Sequence, residues 1–373
     1  MEIVKLKDVA KQAFAEIGAY QRGEKKVIKT GRPYIDDSFP LVNGSVITIS
    51  AKSGIGKSFE LATLLDNVMN RDINPDAGNY VCLNVSLEMK VLSLVLRGLN
   101  KAVGKSKRKI LLEGFTDEER ELANKYYKQL MDDRFFISQV PTTPNKFYNA
   151  AREFCLAHSD KDTILISADH IALFGADGGK GKNQTIEELI ERTNDLKMEF
   201  PNVIFIYLSQ MNSDSNSRVQ EKNIQSQPRD TDLYYSQFTF QVSDYVVVIT
   251  NPYKQGITEY TKVNKQRYKH LEKYFVSTDT KGRASLKTLG VLYYHLLKCR
   301  EAESLYIDIF AEDLNIPNIE QYEDKEEIGQ GSEEIPVFNS VQEIPQNNNT
   351  LNNIAWKNHF EEEEPSGDFT PPF

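Results

Sequence analysis

Short continuous apolar runs punctuate the chain: SVITIS over Ser45–Ser50, a run at Tyr80–Val85, TILIS over Thr163–Ser167, VIFIYL over Val203–Leu208, YVVVIT over Tyr245–Thr250 and LYYHLL over Leu292–Leu297. Several lack polar alternation, the pattern of parallel strands buried on both faces. Between most of them the sequence predicts helices, over Lys57–Met69, Met89–Val103, Asp117–Asp132, Asn145–His158 and Thr185–Phe200. Alternation of this kind predicts a doubly wound α/β domain with a mostly parallel sheet. Ahead of it, Val4, Ala10, Phe14, Ile17 and Tyr20 recur at helical spacings, so residues 3–22 are expected to form an amphipathic helix ending near Gly23. From about Pro317 periodicity gives way to Glu, Asn, Gln, Ser and Pro, too little apolar surface to offset chain entropy, and a disordered acidic tail is expected. The expected organisation is a helix and hinge over 1–29, the α/β domain over 30–316 and the tail over 317–373.

Composition narrows this picture. At 373 residues and 40% hydrophobic content, the chain can bury one sizeable core or two small ones. No apolar run reaches the roughly 18 to 20 residues of a membrane-spanning helix, and the amino terminus lacks a signal-peptide core, so no membrane partner and a cytoplasmic location are expected. Cys82, Cys155 and Cys299 are odd in number, widely spaced and without a CxxC, which supports neither a disulfide framework nor a zinc site. The net charge of -9 argues against a nucleic-acid partner until its distribution is considered. From Ala311 onward there are 15 Asp and Glu against 2 Lys, which leaves 43 basic and 39 acidic residues before it. A mildly basic body remains, compatible with a polyanion.

The strongest local chemistry is AKSGIGKS, Ala51 to Ser58, directly after an apolar strand and directly before a helix. Backbone N–H groups of such a turn and of the following helix converge on phosphate oxygens, so the segment reads as a P-loop. Ser53, Gly54, Ile55, Gly56, Lys57, Ser58 and Phe59 would form the ATP-binding turn, with Lys57 on the β- and γ-phosphates and Ser58 on Mg²⁺. Ala51 stands where GxxxxGK[ST] has its first Gly. Asp169, after TILISA, suits a Mg²⁺-orienting carboxylate, with helix capping as its bland alternative. Glu88 in SLEM lies just past the second strand, at the carboxyl edge where such sheets bind ligands, and suits a water-polarising role; a Glu opening a helix also favours the dipole. Gln210 in YLSQMN puts an amide where it could report nucleotide state, or be a satisfied buried amide.

The order TGRPYIDDSFPLVNGS, AKSGIGKS, VSLEM, TILISADHIALF, NVIFIYLSQMN, VSDYVVVI and LLKCR resembles the motif series of the DnaB-type replicative helicases, over most of residues 30–312. The Ala opening the P-loop is similar to that family's own variant. The resemblance implies a RecA-like P-loop NTPase fold, with Glu88 the catalytic glutamate, Asp169 the Mg²⁺ carboxylate and Gln210 the sensor. It further implies a ring-shaped homohexamer, a Lys-x-Arg pair reaching each ATP site from the adjacent subunit, and 5′ to 3′ translocation on single-stranded DNA. For that pair Lys298 and Arg300 in LLKCREAESLYIDIF lie between two strands; Lys265 and Arg267 in KVNKQRYKH compete, within a basic stretch from Lys254 to Lys287. DNA contact is implied for loops after the third and fourth strands, here carrying Lys180 and Lys182 and, later, Tyr234, Tyr235 and Ser236. The two tyrosines replace the family's Arg-Glu pair.

The helix before the motor resembles the family's linker helix, which packs on a neighbouring subunit, and the family's amino-terminal collar domain is expected to be absent. The acidic tail, with its aromatic end, is expected either to dock on a replication partner, to keep stray DNA off the ring or to act only as a solubilising segment. A minimal or phage-encoded replication system is implied, which would place the protein in bacterial or host cytoplasm. Two other classes compete: a RecA- or clock-type relative that binds DNA or protein without unwinding, and a loader that has lost hydrolysis.

Overall fold

The computed structural model describes residues 5–24, 27–36, 41–212, 228–233, 236–251, 254, 291–300 and 308–313. All of these fall within the first of two compact units, Met1–Ile319; the second, Glu320–Phe373, lies outside the described residues, as does the expected acidic tail.

Among the described residues eight strands form one sheet: β1 Val46–Ala51, β2 Tyr80–Ser86, β3 Phe135–Ser138, β4 Thr163–Asp169, β5 Val203–Gln210, β6 Tyr245–Thr250, β7 Val291–Cys299 and β8 Asp308–Asp313. Their order is β3-β2-β4-β5-β1-β6-β7-β8. The first six run parallel, and β7 and β8 continue the sheet antiparallel. The expected sixth strand thus exists, longer than its apolar run and reversed in direction. The short β3, which only half buries its side chains at the sheet edge, and the β8 strand complete it.

The continuous apolar runs are explained by the layers that cover the sheet. Successive side chains of a strand point to opposite faces. Ile47 and Ile49 of β1 and Ile204, Ile206 and Leu208 of β5 enter a core with Leu61, Leu64 and Val68 of helix α3, Lys57–Met69. Val46, Val203, Phe205 and Tyr207 enter a second core on the other face. There they meet Phe147 and Ala151 of α7, Pro144–Ala157, and Ile186, Leu189 and Leu196 of α8, Lys182–Glu199. A strand sandwiched in this way has no solvent face to pattern with polar residues.

Four more helices complete the early half: α1 Leu6–Gln21, α4 Val91–Val103, α5 Lys107–Glu113 and α6 Asp117–Leu130, with a single turn, α2, at Pro33–Asp36. The start of α6 is fixed by a reciprocal cap in which Glu119 N donates to the Thr116 hydroxyl and Thr116 N donates to the Glu119 carboxylate. Helix α1 stops where expected, with Gly23 at φ 73°, and buries none of its residues; Leu6, Phe14 and Ile17 face solvent. A short helix, α9 Ser236–Val242, precedes β6. Among the described residues no helix is long and apolar enough to cross a membrane.

A buried ion pair ties the segment before the sheet to the head of α3. Arg32 donates to the Glu60 carboxylate at 2.6 Å, with the two side chains 6% and 1% exposed, and the Tyr294 hydroxyl of β7 donates to the same Glu60 oxygen at 3.2 Å. Asp36 accepts from Thr30 N, Thr30 Oγ1 and Gly31 N, closing the turn that delivers Arg32.

Candidate nucleotide-binding site

Strand β1 ends at Ala51 in the middle of the sheet, and the chain turns through Lys52–Gly56 into α3. Gly54 (φ 77°) and Gly56 (φ 118°) hold the left-handed backbone that the turn requires, and a Cβ on either would meet nothing within 4 Å. The turn is therefore open around both glycines, at the helix N-terminus, where backbone N–H groups favour an anion. Ile55 is buried and anchors it from below. Ser53 and Gly54 are exposed, and Phe59, one turn into α3, lies 4.8 Å beneath the Lys101 ammonium.

Lys57 is 94% buried by its own loop, where its ammonium donates to the Ala51 carbonyl at 3.1 Å. Burial pulls its pKa down, while Glu88 and Asp169 push it back up. Those two carboxylates arrive from neighbouring strands. Ser86 at the end of β2 is level with Asp169 at the end of β4, and Leu87 N and Glu88 N both donate to the Asp169 carbonyl, at 2.7 and 3.1 Å. The Ser86 hydroxyl donates to the Met89 carbonyl and shapes the turn that presents Glu88. Asp169 is 2% exposed; burial pushes its carboxyl pKa up, the Ser58 hydroxyl pulls it down, Glu88 raises it and Lys57 lowers it. Its Oδ1 is buried without a hydrogen-bond partner.

Gln210 is level with Ala51 across the β1–β5 ladder, so the expected sensor stands beside the turn. Its Nε2 lies 3.1 Å from Nε2 of His170, a residue that the sequence reading passed over. His170 is 4% exposed, and its Nε2 is also 3.9 Å from the Glu88 carboxylate. Its signal in the sequence was its place directly after Asp169 at a strand end. A second residue that was missed is Lys254, whose ammonium donates to the Gly54 carbonyl at 2.9 Å from beyond β6.

The remaining expected residues lie elsewhere. Lys298 is level with Val246 of β6, whereas Ala51 is level with Ile249, three residues nearer the carboxyl edge. Arg300 N donates to the Asp244 carbonyl, lower still. At 3.3 Å per residue, Arg300 sits about 17 Å below the phosphate turn along the strand direction. The Arg300 guanidinium pairs with Asp244 at 2.8 Å and donates to the Gln241 carbonyl, while Lys298 donates to the carbonyls of Phe240 and Gln241. Asp244 also accepts from Val46 N and from Lys197. Lys265 and Arg267 lie outside the described residues. So do Tyr234 and Tyr235; Ser236 opens α9. Lys180 pairs with Glu188 at 3.0 Å, and Lys182, inside the first turn of α8 and not in the preceding loop, donates to the Phe174 carbonyl at 2.6 Å.

A mostly parallel sheet with helices on both faces, an open glycine turn between its central strand and a helix, and carboxylates from the ends of β2 and β4 on the same edge define a RecA-like P-loop ATPase fold. Within that class the chain belongs to the DnaB-like helicase C terminal domain family, whose model matches residues 28–285. Two solved structures share the fold. The ATPase domain of G40P matches with a TM-score of 0.62 and 14% identity, over 84% of this chain and 96% of that one. A DnaB-like replicative helicase, described with its interactions with primase, matches with a TM-score of 0.59 and 14% identity, over 83% of this chain and 64% of that one. No curated protein matches.

Proposed function

We propose that the protein is an ATP-driven motor that translocates along single-stranded DNA, 5′ to 3′, as a ring of identical subunits, six by the family pattern. The observation that carries this reading is the meeting of Lys57, Ser58, Asp169 and Glu88 at one end of the sheet, beside an open phosphate turn. The buried, unpartnered Oδ1 of Asp169 beside the Ser58 hydroxyl fits a divalent cation, so Ser58 and Asp169 would hold Mg²⁺. Held there, the cation would supply charge neutralisation for the phosphates. Lys57 would leave the Ala51 carbonyl for those oxygens, and turn N–H groups from Ser53 to Phe59 would complete the grip. Glu88 would take the proton from the attacking water, and Gln210 would contact the γ-phosphate.

Lys298 and Arg300 are too far from their own phosphate turn to serve it, which supports a role at a neighbour's site. Helix α1 supports association as well, since it offers exposed Leu6, Phe14 and Ile17, and α4 and α5 offer exposed Leu92, Leu111 and Leu112. For DNA, the span around Tyr234, Tyr235 and Ser236 is favoured over Lys180 and Lys182, both of which already have partners.

The test is steady-state ATPase with and without single-stranded DNA, set beside unwinding of a forked duplex and particle mass in the presence of nucleotide. Wild-type protein is expected to form a ring, to be stimulated by DNA and to unwind. Glu88→Gln should keep nucleotide affinity while turnover falls by about 10²-fold or more. Arg300→Ala should abolish turnover where Arg267→Ala does not. A protein that stays monomeric with nucleotide and DNA would refute the motor; strand exchange without unwinding would move it to the recombinase class.

A further inference from the structure

We infer that His170 is a positioning residue that links the sensor amide of Gln210 to the catalytic carboxylate of Glu88 through one shared ring nitrogen. The inference rests on the ATPase reading above and deepens it.

Three observations converge on this imidazole. It is 4% exposed, so water does not compete for its Nε2. Nε2 faces the Gln210 side-chain amide at 3.1 Å, which is hydrogen-bond distance, and the Glu88 carboxylate at 3.9 Å, which is not. The backbone before it is fastened to Glu88 itself, because Leu87 N and Glu88 N both donate to the Asp169 carbonyl. Glu88 and His170 are thus tethered through one carbonyl at the β2–β4 edge, while Gln210 ends β5 on the other side of β4.

A ring nitrogen has a single hydrogen-bonding position in its plane, and because the Glu88 carboxylate only accepts, the exchange uses the Nε2–H tautomer: Nε2 donates either to the Gln210 amide, turned so that its oxygen faces the ring, or to Glu88, and no proton moves within the ring. Nε2 can satisfy Gln210 or Glu88, but not both at full strength. In the conformation described it serves Gln210. An amide that turns toward a γ-phosphate gives up His170, and Nε2 is then available to Glu88, whose carboxylate needs to close by less than 1 Å to reach hydrogen-bond distance. The exchange makes the orientation of Glu88 conditional on what Gln210 is doing. Neither the P-loop nor the Mg²⁺ carboxylate has to move.

The experiment uses the full chain in two arms. In the first, the nucleotide-free protein is labelled with ¹⁵N-histidine; the chain has five histidines, and His170→Gln assigns the signal. Gln210→Leu is expected to shift the His170 Nε2 resonance, and an unchanged resonance would overturn the inference whether or not the protein hydrolyses ATP. In the second arm, His170→Phe keeps the ring's bulk without its nitrogens. Turnover is expected to fall roughly tenfold, the rate equivalent of one hydrogen bond to a charged group, with KM for ATP within about twofold of wild type. His170→Gln, whose amide reaches the place of Nε2, should recover part of the loss, and His170→Asn, which reaches only the place of Nδ1, should not. Combining His170→Phe with Gln210→Leu should cost no more than the worse single change. Full additivity, equal behaviour of the Gln and Asn variants, or a wild-type turnover in His170→Phe would each overturn the link. A wild-type protein without ATPase overturns the reading beneath it, a failure that the first arm distinguishes.

Discussion

Replacing Glu60 with Ala removes the carboxylate that Arg32 and Tyr294 share in a nearly dry pocket at the head of α3. The side chains of the ion pair are 6% and 1% exposed, so the charge of Arg32 cannot turn to solvent for compensation. Breaking one partner out of a buried pair typically costs about 3 to 5 kcal/mol, of which the hydrogen bond from Tyr294 lost with it accounts for about 1 kcal/mol. Arg32 keeps other contacts in the fold, which argues for the lower end, about 3 kcal/mol in all. For a domain of this size each kcal/mol moves the melting temperature by about 2 to 4 °C, so a fall of about 6 to 12 °C is expected. Thermal unfolding followed by circular dichroism, without nucleotide, reads this directly, with Tyr294→Phe as the internal scale at about a third of the effect. If Glu60→Ala melts no lower than Tyr294→Phe, the pair is not held away from water and the argument is wrong.

Other outcomes follow from single observations. His295 is buried in β7, and burial lowers its pKa from 6.5 to about 3, with Thr250 Oγ1 3.2 Å from its ring. The unfolded chain protonates this imidazole below pH 6.5 and the folded chain does not, so stability is full above that pH and falls as pH drops toward 3. The slope is at most about 1.4 kcal/mol per pH unit, and urea unfolding of His295→Gln should show a shallower loss between pH 6.5 and 5 than wild type. Gly98 in α4 has no room for a methyl group, since an added Cβ would lie 1.9 Å from the Tyr126 hydroxyl and 2.5 Å from the ring carbon bearing it. Gly98→Ala should therefore destabilise by about 1 to 3 kcal/mol despite its better helix propensity, and Tyr126→Leu in the same chain should restore the loss; stability equal to wild type in the single variant would contradict the packing. Gly56→Ala, at φ 118°, should weaken nucleotide binding through the backbone alone, as measured by titration with a fluorescent nucleotide.

The parts of this molecule legible in the sequence are those whose cause is local. The phosphate turn announces itself because strand, glycines, Lys57 and helix are contiguous, and the parallel strands do so because burial on both faces leaves no polar positions. Strand β3 was harder, for four residues at a half-buried edge carry little pattern. Partners far apart in the chain left no trace: nothing in LLKCR indicates that Arg300 would rest on Asp244, or in TGRP that Arg32 would be sealed against Glu60. Lys180 and Lys182 illustrate the converse. Their charge is visible in the sequence, but the Glu188 carboxylate and Phe174 carbonyl that occupy them become neighbours only once α8 forms.

The hydroxyl of Tyr294 reaches the first turn of α3, and five residues further along the same β7 strand the side chain of Cys299 gives way to Arg300 at the opposite rim. One strand thus runs from the head of the nucleotide-facing helix to the rim that carries Arg300, with a break in its register opposite Val246 and Val247. In the proposed ring, a subunit seated at that rim would be joined to its neighbour's phosphate turn through a single strand.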